Sequence, residues 1–117
     1  MSRLGVCIAL MLLLSPPLVS NSPGYELIDK AHKIVSGPDE DGDLEISLRA
    51  TVKNLRNAQL AVRVIAQGID KEDFVTYDIY LEALLKPNET RVLRDLDYIP
   101  KATYDKIVKW DWLLELQ

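Results

Sequence analysis

The stretch "DLEISLRATVKNL", residues 43–55, alternates apolar and polar side chains along most of its length. Because successive side chains of a strand point to opposite faces of a sheet, this alternation predicts a β-strand with one dry face and one solvated face. Such strands are typical of antiparallel sheets that have one side in water. The predicted dry face consists of Leu44, Ile46, Leu48, Ala50 and Val52. We interpret the polar side chains between them as ordinary solvated surface.

Four later stretches repeat this pattern, and polar segments separate them. Alternating apolar residues predict strands over residues 60–67, 74–83, 90–98 and 108–116. In the third of these strands, the pattern places Val92, Leu96 and Tyr98 together on one face. Arg94 interrupts that face, which makes this strand the weakest of the set.

The segments between the predicted strands carry turn residues. "NLRNAQ" (54–59) contains Asn54 and Asn57, which suit the left-handed positions of a turn. "LKPNET" (85–90) predicts a type I turn with Pro87 at its second position, where the ring already fixes the required φ. Proline and glycine lie in these turns rather than inside the predicted strands, which agrees with the strand assignment.

Residues 25–37 allow two interpretations. Their apolar residues fit helical spacing, but residues 31–36 can equally form a strand that leads into the turn "GPDEDGD" (37–43). We favour the strand, because a strong strand follows that turn directly. The alternative is a helix over residues 25–35 that packs on a curved sheet. It would make a small α+β domain that binds a small ligand or a peptide.

The number and spacing of these segments predict the fold class. Short strands separated by polar turns, with Trp110 and Trp112 in the last strand, are typical of a small antiparallel sandwich. The chain is 48% hydrophobic and 27% charged, which is the composition of an ordinary folded domain. We therefore predict an all-β fold, an antiparallel immunoglobulin-like β-sandwich of about six to seven strands.

The first residues predict a secretory signal peptide. Arg3 supplies the positive charge, and an uncharged apolar run over residues 4–14 follows it. This run is too short to span a bilayer, which needs roughly 20 apolar residues. We predict a signal peptide over residues 1–20, with cleavage as late as residue 24, and a single domain over residues 21–117. The protein is then periplasmic or secreted, and no membrane span remains after signal removal.

Charge and cysteine content narrow the classes of partner. The formal net charge is −4 and the sequence has no basic stripe, which disfavours nucleic acid and anionic lipid surfaces as partners. The single cysteine, Cys7, lies inside the predicted signal peptide. The remaining domain therefore has no disulfide, which favours a bacterial envelope protein over a small eukaryotic secreted domain.

The sequence shows no pattern typical of catalysis or of metal binding. His32 is the only histidine, and no nucleophile motif accompanies it. The acidic segment over residues 39–43 begins like a calcium loop, but Leu44 stands at the sixth position and Ala50 at the twelfth, where glycine and glutamate are expected. We therefore predict no catalytic residue, no metal site and no cofactor.

The segment "ATVKNLRNAQLAVRVIAQGIDKEDFVTYDIYLEALLKPNETRV" (50–92) resembles the FxLYD family of bacterial secreted domains. "TVKN" (51–54) fits the family's V-x-N element, and "LLKPNET" (84–90) fits its L-x-P-G-E-T-like turn, with Asn88 in place of glycine. "VIAQGID" (64–70) stands where the family has its aromatic-x-Leu-Tyr-Asp signature. The resemblance implies a small immunoglobulin-like sandwich that serves as an extracytoplasmic binding or accessory module. It supplies no catalytic residues.

Three apolar residues fall on the predicted polar sides of their strands. They are Phe74, Tyr80 and Ile65. An apolar cluster on an otherwise solvated face is what a protein-binding surface needs, and equally what a second packed sheet or the edge of a sandwich core needs. We predict that these residues contact a partner, another envelope protein, and that pairing at an exposed sheet edge is a second possible mode of contact. The sequence leaves the oligomeric state open.

Overall fold

The computed structural model describes residues 24–117, which form six β-strands and one turn of helix. The elements are β1 (Tyr25–Ser36), β2 (Asp43–Asn54), β3 (Leu60–Asp70), β4 (Val75–Leu85), β5 (Thr90–Pro100), α1 (Lys101–Tyr104) and β6 (Ile107–Leu116). The predicted signal peptide lies outside the described residues. In the described part of the chain, no helix is long and apolar enough to cross a membrane.

The strands form two antiparallel three-stranded sheets. Sheet 1 has the strand order β1-β2-β5, and sheet 2 has the order β4-β3-β6. The two sheets pack face to face, and their buried apolar side chains form a single cluster between them. The predicted all-β sandwich is thereby confirmed. Its finer assignment as immunoglobulin-like stays a prediction.

The two central strands supply most of the core, because each alternates strictly between inward and outward side chains. In β2 the inward set is Leu44, Ile46, Leu48, Ala50 and Val52, and all five are buried as predicted. In β3 the inward set is Leu60, Val62, Val64 and Ala66, which is buried as well. At about 1.5–3 kcal/mol for each large side chain removed from water, these two strands contribute the largest part of the hydrophobic stabilisation.

The first strand settles the ambiguity of residues 25–37. β1 pairs with β2 along its length, so the predicted strand over residues 31–36 is confirmed and is longer than expected. The alternative helix over residues 25–35 is wrong, and so is the α+β domain built on it. Strand pairing prevails because it places Ile34 beside Ile46 of β2, where both side chains pack toward the core.

The structure turns the apolar face of β5 outward. Val92, Leu96 and Tyr98 do not face the core, because the strand buries Leu93 and Ile99 from the opposite face. The register with β2 fixes this orientation, since directly opposed residues share a face and Leu93 pairs with Ala50. Val92, Leu96 and Tyr98 therefore share one face, as predicted, and that face is the outer face of sheet 1.

Two of the predicted turns also differ from expectation. Asn54 does not adopt a left-handed backbone conformation; its side chain is fully buried and bonds to the turns around it. In the turn at Pro87, the backbone N–H of Glu89 donates to the carbonyl of Lys86, and Asn88 has a φ of 60°. A positive φ at the third position belongs to a type II turn, so the predicted type I turn is wrong.

One polar contact joins the two sheets at the margin of the core. The hydroxyl of Tyr77 in β4 donates a hydrogen bond to the Asp97 carboxylate in β5. Burial, together with the neighbouring Asp97 carboxylate, raises the pKa of Tyr77, so the phenol stays protonated as the donor. The contact gives the inward-facing Asp97 a partner and stabilises the unexpected orientation of β5.

Candidate functional site

Because β5 turns several of its apolar side chains outward, it has an exposed apolar surface. Val92, Leu96 and Tyr98 are 43%, 58% and 60% exposed. Their cross-strand partners on β2 are polar outward residues, so these three side chains lack apolar neighbours on that strand. We call them, together with Arg94, the β5 surface. Large apolar side chains grouped at the outer face of an edge strand are a feature of interaction sites.

Arg94 lies in the middle of the β5 surface and is exposed. Its direct cross-strand partner is Arg49 of β2. Arg49 forms an ion pair with Asp29 at 3.2 Å, whereas Arg94 has no ion-pair partner among residues 24–117. Like charges directly opposite each other destabilise a sheet, so this juxtaposition costs stability in the isolated domain. A carboxylate bound to Arg94 would reduce the repulsion between the two arginines.

Three shallow hollows meet at Arg94. One, of about 350 Å³, lies between the free edges of β4 and β5 and is lined by residues 80–82 and 92–95. A second, of about 520 Å³, continues along β5 past Asp95 and Leu96 to Ser47. A third, of about 220 Å³, lies on the outer face of sheet 1 beside Arg49. Together they form a trough that follows β5, with a cationic side chain at its centre.

The residues predicted to bind a partner do not form one cluster. Phe74 is 67% exposed and lies in the turn between β3 and β4, and Tyr80 is 50% exposed in the middle of β4. At about 3.3 Å of rise per residue, the two are roughly 20 Å apart along the chain. Ile65 pairs with Tyr80 but is only 9% exposed. Of the three, only Tyr80 reaches the trough along β5.

Tyr80 belongs to an apolar row across the outer face of sheet 2. Ile65 lies between Tyr80 and Leu113 in the registers of β3 with β4 and β6. The Arg63 guanidinium lies 5.1 Å from the centre of the Tyr80 ring and forms an ion pair with Glu82 at 2.9 Å. These contacts hold Tyr80 in place and cover part of Ile65, which explains why an outward-facing isoleucine is nearly buried.

The environment of His32 is aromatic. Its ring lies 4.4 Å from the Trp110 ring and 6.3 Å from the Tyr104 ring. Burial lowers the pKa of His32, so the imidazole is neutral at pH 7. A neutral ring packed on tryptophan closes the side of the sandwich between β1 and β6. The arrangement is that of a structural histidine.

The side chain of Asp39 holds together the acidic turn before β2. One carboxylate oxygen of Asp39 accepts the backbone N–H groups of Asp41 and Asp43, each at 2.9 Å. Across residues 24–117, no group of three or more His, Cys, Asp or Glu side chains is arranged to hold a metal ion. These bonds give the Asp39 carboxylate a structural role in the turn.

The β5 surface is not evident from the sequence, because its apolar residues look like a buried face. One signal was available: Arg94 interrupts the supposed inward face at its centre. A charged residue in the middle of an apolar face is more common on an outer surface than in a core.

Comparisons with known proteins provide no functional assignment. No family model matches the chain, and no curated protein matches it. A crystal structure of cj0090 from Campylobacter jejuni is similar over 84% of this chain and 93% of that one, with 19% sequence identity and a TM-score of 0.42. What the geometry defines is a two-sheet all-β domain with an exposed trough along β5 that has Arg94 at its centre and apolar side chains beside it.

Proposed function

We propose that this protein is a non-enzymatic protein-binding or accessory module of the bacterial envelope. The observation that carries the proposal is the β5 surface, where exposed apolar side chains surround Arg94. Arginine and tyrosine are enriched among the residues that contribute most to protein–protein affinity. The β5 surface supplies Arg94 and Tyr98, and Tyr80 adds a second aromatic side chain at the edge of the trough.

The charge arrangement indicates what kind of partner fits the trough. Arg94 and Arg49 lie side by side, and the only ion pair among residues 24–117 that involves either of them joins Arg49 to Asp29. A carboxylate from a partner can bind the planar Arg94 guanidinium with two parallel hydrogen bonds. We infer a protein partner that presents an acidic side chain flanked by apolar residues. The apolar flanks would cover Val92 and Leu96 on either side of the arginine.

The strand order supports the immunoglobulin-like part of the proposal. In immunoglobulin variable domains, strands A, B and E share one sheet, while C′, C and F are neighbours in the other. The orders β1-β2-β5 and β4-β3-β6 correspond to these two sets when the strands are matched in sequence. Immunoglobulin-like domains serve widely as binding modules on cell surfaces, so this correspondence favours a binding role by analogy of fold.

The envelope location rests on the predicted signal peptide and on the absence of cysteine after residue 7. A fusion of residues 1–24 to a reporter enzyme that is active only after export tests the location. Export of the reporter supports the proposal. Retention of the reporter in the cytoplasm would contradict the envelope location. The proposed binding surface is tested separately.

Site-specific photo-crosslinking in the native host tests the binding surface. A photoreactive amino acid is placed at Leu96 in the trough, and at Phe74 in the β3–β4 turn as a second exposed site. We expect one dominant protein adduct from the Leu96 probe and a weaker or different pattern from the Phe74 probe. Strong adducts from Phe74 alone would show that the partner contacts Phe74, as the sequence predicts, and not the trough. No adduct at either site in the folded protein would contradict the proposed function.

A further inference from the structure

Within residues 24–117, each of the two sheets has two edge strands without a further partner, and three of these four edges carry a feature that hinders the addition of a strand. β1 has two register irregularities, and the Asp29 carboxylate accepts the backbone N–H of Lys30. On β4, Arg91 donates to the carbonyl of Leu84. On β5, the Asp95 carboxylate accepts the backbone N–H of Leu96. Such devices are how natural proteins protect edge strands from unwanted pairing.

The edge of β6 has no such device within the described residues. Its register with β3 is regular from Lys109 to Leu116, and no side chain of residues 24–117 bonds to its outward backbone groups. The strand contains no proline and ends in an apolar residue. β6 is therefore the edge best suited to accept another strand.

The hydrogen-bond pattern shows which residues of β6 face this free edge. The backbone N–H of Gln117 donates to the carbonyl of Ala61 in β3 at 3.1 Å. Bonded pairs alternate along an antiparallel ladder, so the odd-numbered residues of β6 bond to β3. The even-numbered residues therefore direct their N–H and C=O groups away from the sheet. They are Val108, Trp110, Trp112, Leu114 and Leu116.

A second copy of the same strand complements this edge when the two run antiparallel about a two-fold axis at Trp112. This register overlaps the whole of residues 108–116 and pairs even-numbered residues with even-numbered residues, as the outward backbone groups require. It places Lys109 of each copy opposite Glu115 of the other. It also places Val108, which is 64% exposed, opposite Leu116, which is 45% exposed. Opposite charges and paired apolar groups directly across a ladder stabilise strand pairing.

We propose that two copies of this chain associate through β6 and join their β4-β3-β6 sheets into one continuous six-stranded sheet. The interface is isologous, so each favourable contact occurs twice. The ion pairs that Lys109 and Glu115 make within one chain, with Asp73 and Arg63, are both 3.5 Å long and exposed. Contacts of that kind contribute little, so both side chains can turn toward a second copy at small cost.

A charge exchange tests the register. Sedimentation equilibrium of the purified protein should show a dimer. Lys109→Glu and Glu115→Lys should each raise the dissociation constant of the dimer about tenfold or more, since each places like charges opposite each other twice. The double variant should restore the dimer, because it exchanges the charges while keeping them complementary. Lys53→Glu on sheet 1 is the matched control and should leave the dimer unchanged.

A second variant tests the backbone contact. Leu114→Pro removes an N–H that faces the free edge and leaves the bonds to β3 in place, so it should weaken the dimer while circular dichroism shows the same sheet content. A monomeric wild-type protein overturns the proposal, as does a dimer that survives all of these variants. If a photoreactive probe at Val108 captures a different protein in the host, the β6 edge binds that protein instead of a second copy. The proposal is then likewise wrong.

Discussion

Asn54 links three segments of the chain, and its replacement by alanine gives the sharpest test of how the fold is held together. The side chain is fully buried at the end of β2. Its amide nitrogen donates to the carbonyls of Ala58 and Lys86 at 2.8 and 2.9 Å, and its oxygen accepts the N–H of Arg56 at 2.9 Å. Asn54 thereby joins the β2–β3 turn to the β4–β5 turn.

The structure sets the magnitude of the expected effect. Each of the three hydrogen bonds contributes about 1 kcal/mol net, and alanine can replace none of them. We expect Asn54→Ala to lower the free energy of unfolding by about 3 kcal/mol, a large fraction of the stability of a domain this size. Urea denaturation followed by tryptophan fluorescence measures the change, since Trp110 and Trp112 are both packed against the core.

Asn57→Ala is the matched control for this prediction. The side chain of Asn57 is exposed and bonds to the side chain of Asn88 at 3.0 Å. Its removal should change the free energy of unfolding by no more than about 0.5 kcal/mol. If Asn54→Ala costs less than about 1 kcal/mol, or no more than the control, the buried amide does not hold the two turns together and the reasoning fails.

Two further predictions concern the pH dependence of stability and the packing of β3 against β6. Burial lowers the pKa of His32 from its ordinary value of 6.5, so its contribution to stability is complete above pH 6.5 and is lost as the pH falls. The urea midpoint should therefore fall more between about pH 7.5 and 5.5 in the wild type than in His32→Gln, and equal changes would contradict the prediction. A Cβ atom on Gly68 would lie 2.4 Å from Cδ1 of Ile107. Gly68→Ala should cost about 1–3 kcal/mol, and the cost should be smaller in an Ile107→Val background; an equal cost in both backgrounds would exclude this clash as the cause.

The sequence is sufficient to predict those strands in which the alternating apolar residues are also the buried ones. β2 and β3 are central strands, and their inward sets are apolar up to the buried Asn54 at the end of β2. The placement of β1 as a strand was also within reach, because the turn and the strong strand after it favoured a pairing partner.

The orientation of β5 was not predictable from its own residues. Its even-numbered positions carry three large apolar residues and one arginine, whereas its odd-numbered positions carry Arg91, Asp95 and Asp97 beside Leu93 and Ile99. Alternation alone favours the first set as the core. The second set faces inward because its charges find partners there: Arg91 bonds to Glu89 and to the carbonyl of Leu84, and Asp97 accepts the hydroxyl of Tyr77 from the other sheet.

The phase of β5 also conceals the candidate site. By alternation alone, Val92, Leu96 and Tyr98 look like an ordinary core face, so the apolar residues predicted to contact a partner lie elsewhere, at Phe74, Tyr80 and Ile65. Of those, Phe74 and Tyr80 are exposed but far apart, and Ile65 is nearly buried beneath its neighbours. Site prediction from an alternating pattern therefore depends on the phase of every strand, and the phase of an edge strand is decided by tertiary contacts.

The central claim is that the β5 surface binds a partner that carries an acidic group, and a charge reversal at Arg94 tests it most directly. The yield of the adduct from the Leu96 probe is measured in the host for the wild type, Arg94→Glu and Lys53→Glu. We predict that Arg94→Glu lowers the yield at least about tenfold, because it places like charges together at the centre of the contact, while Lys53→Glu has little effect. Equal yields from all three proteins would contradict the claim.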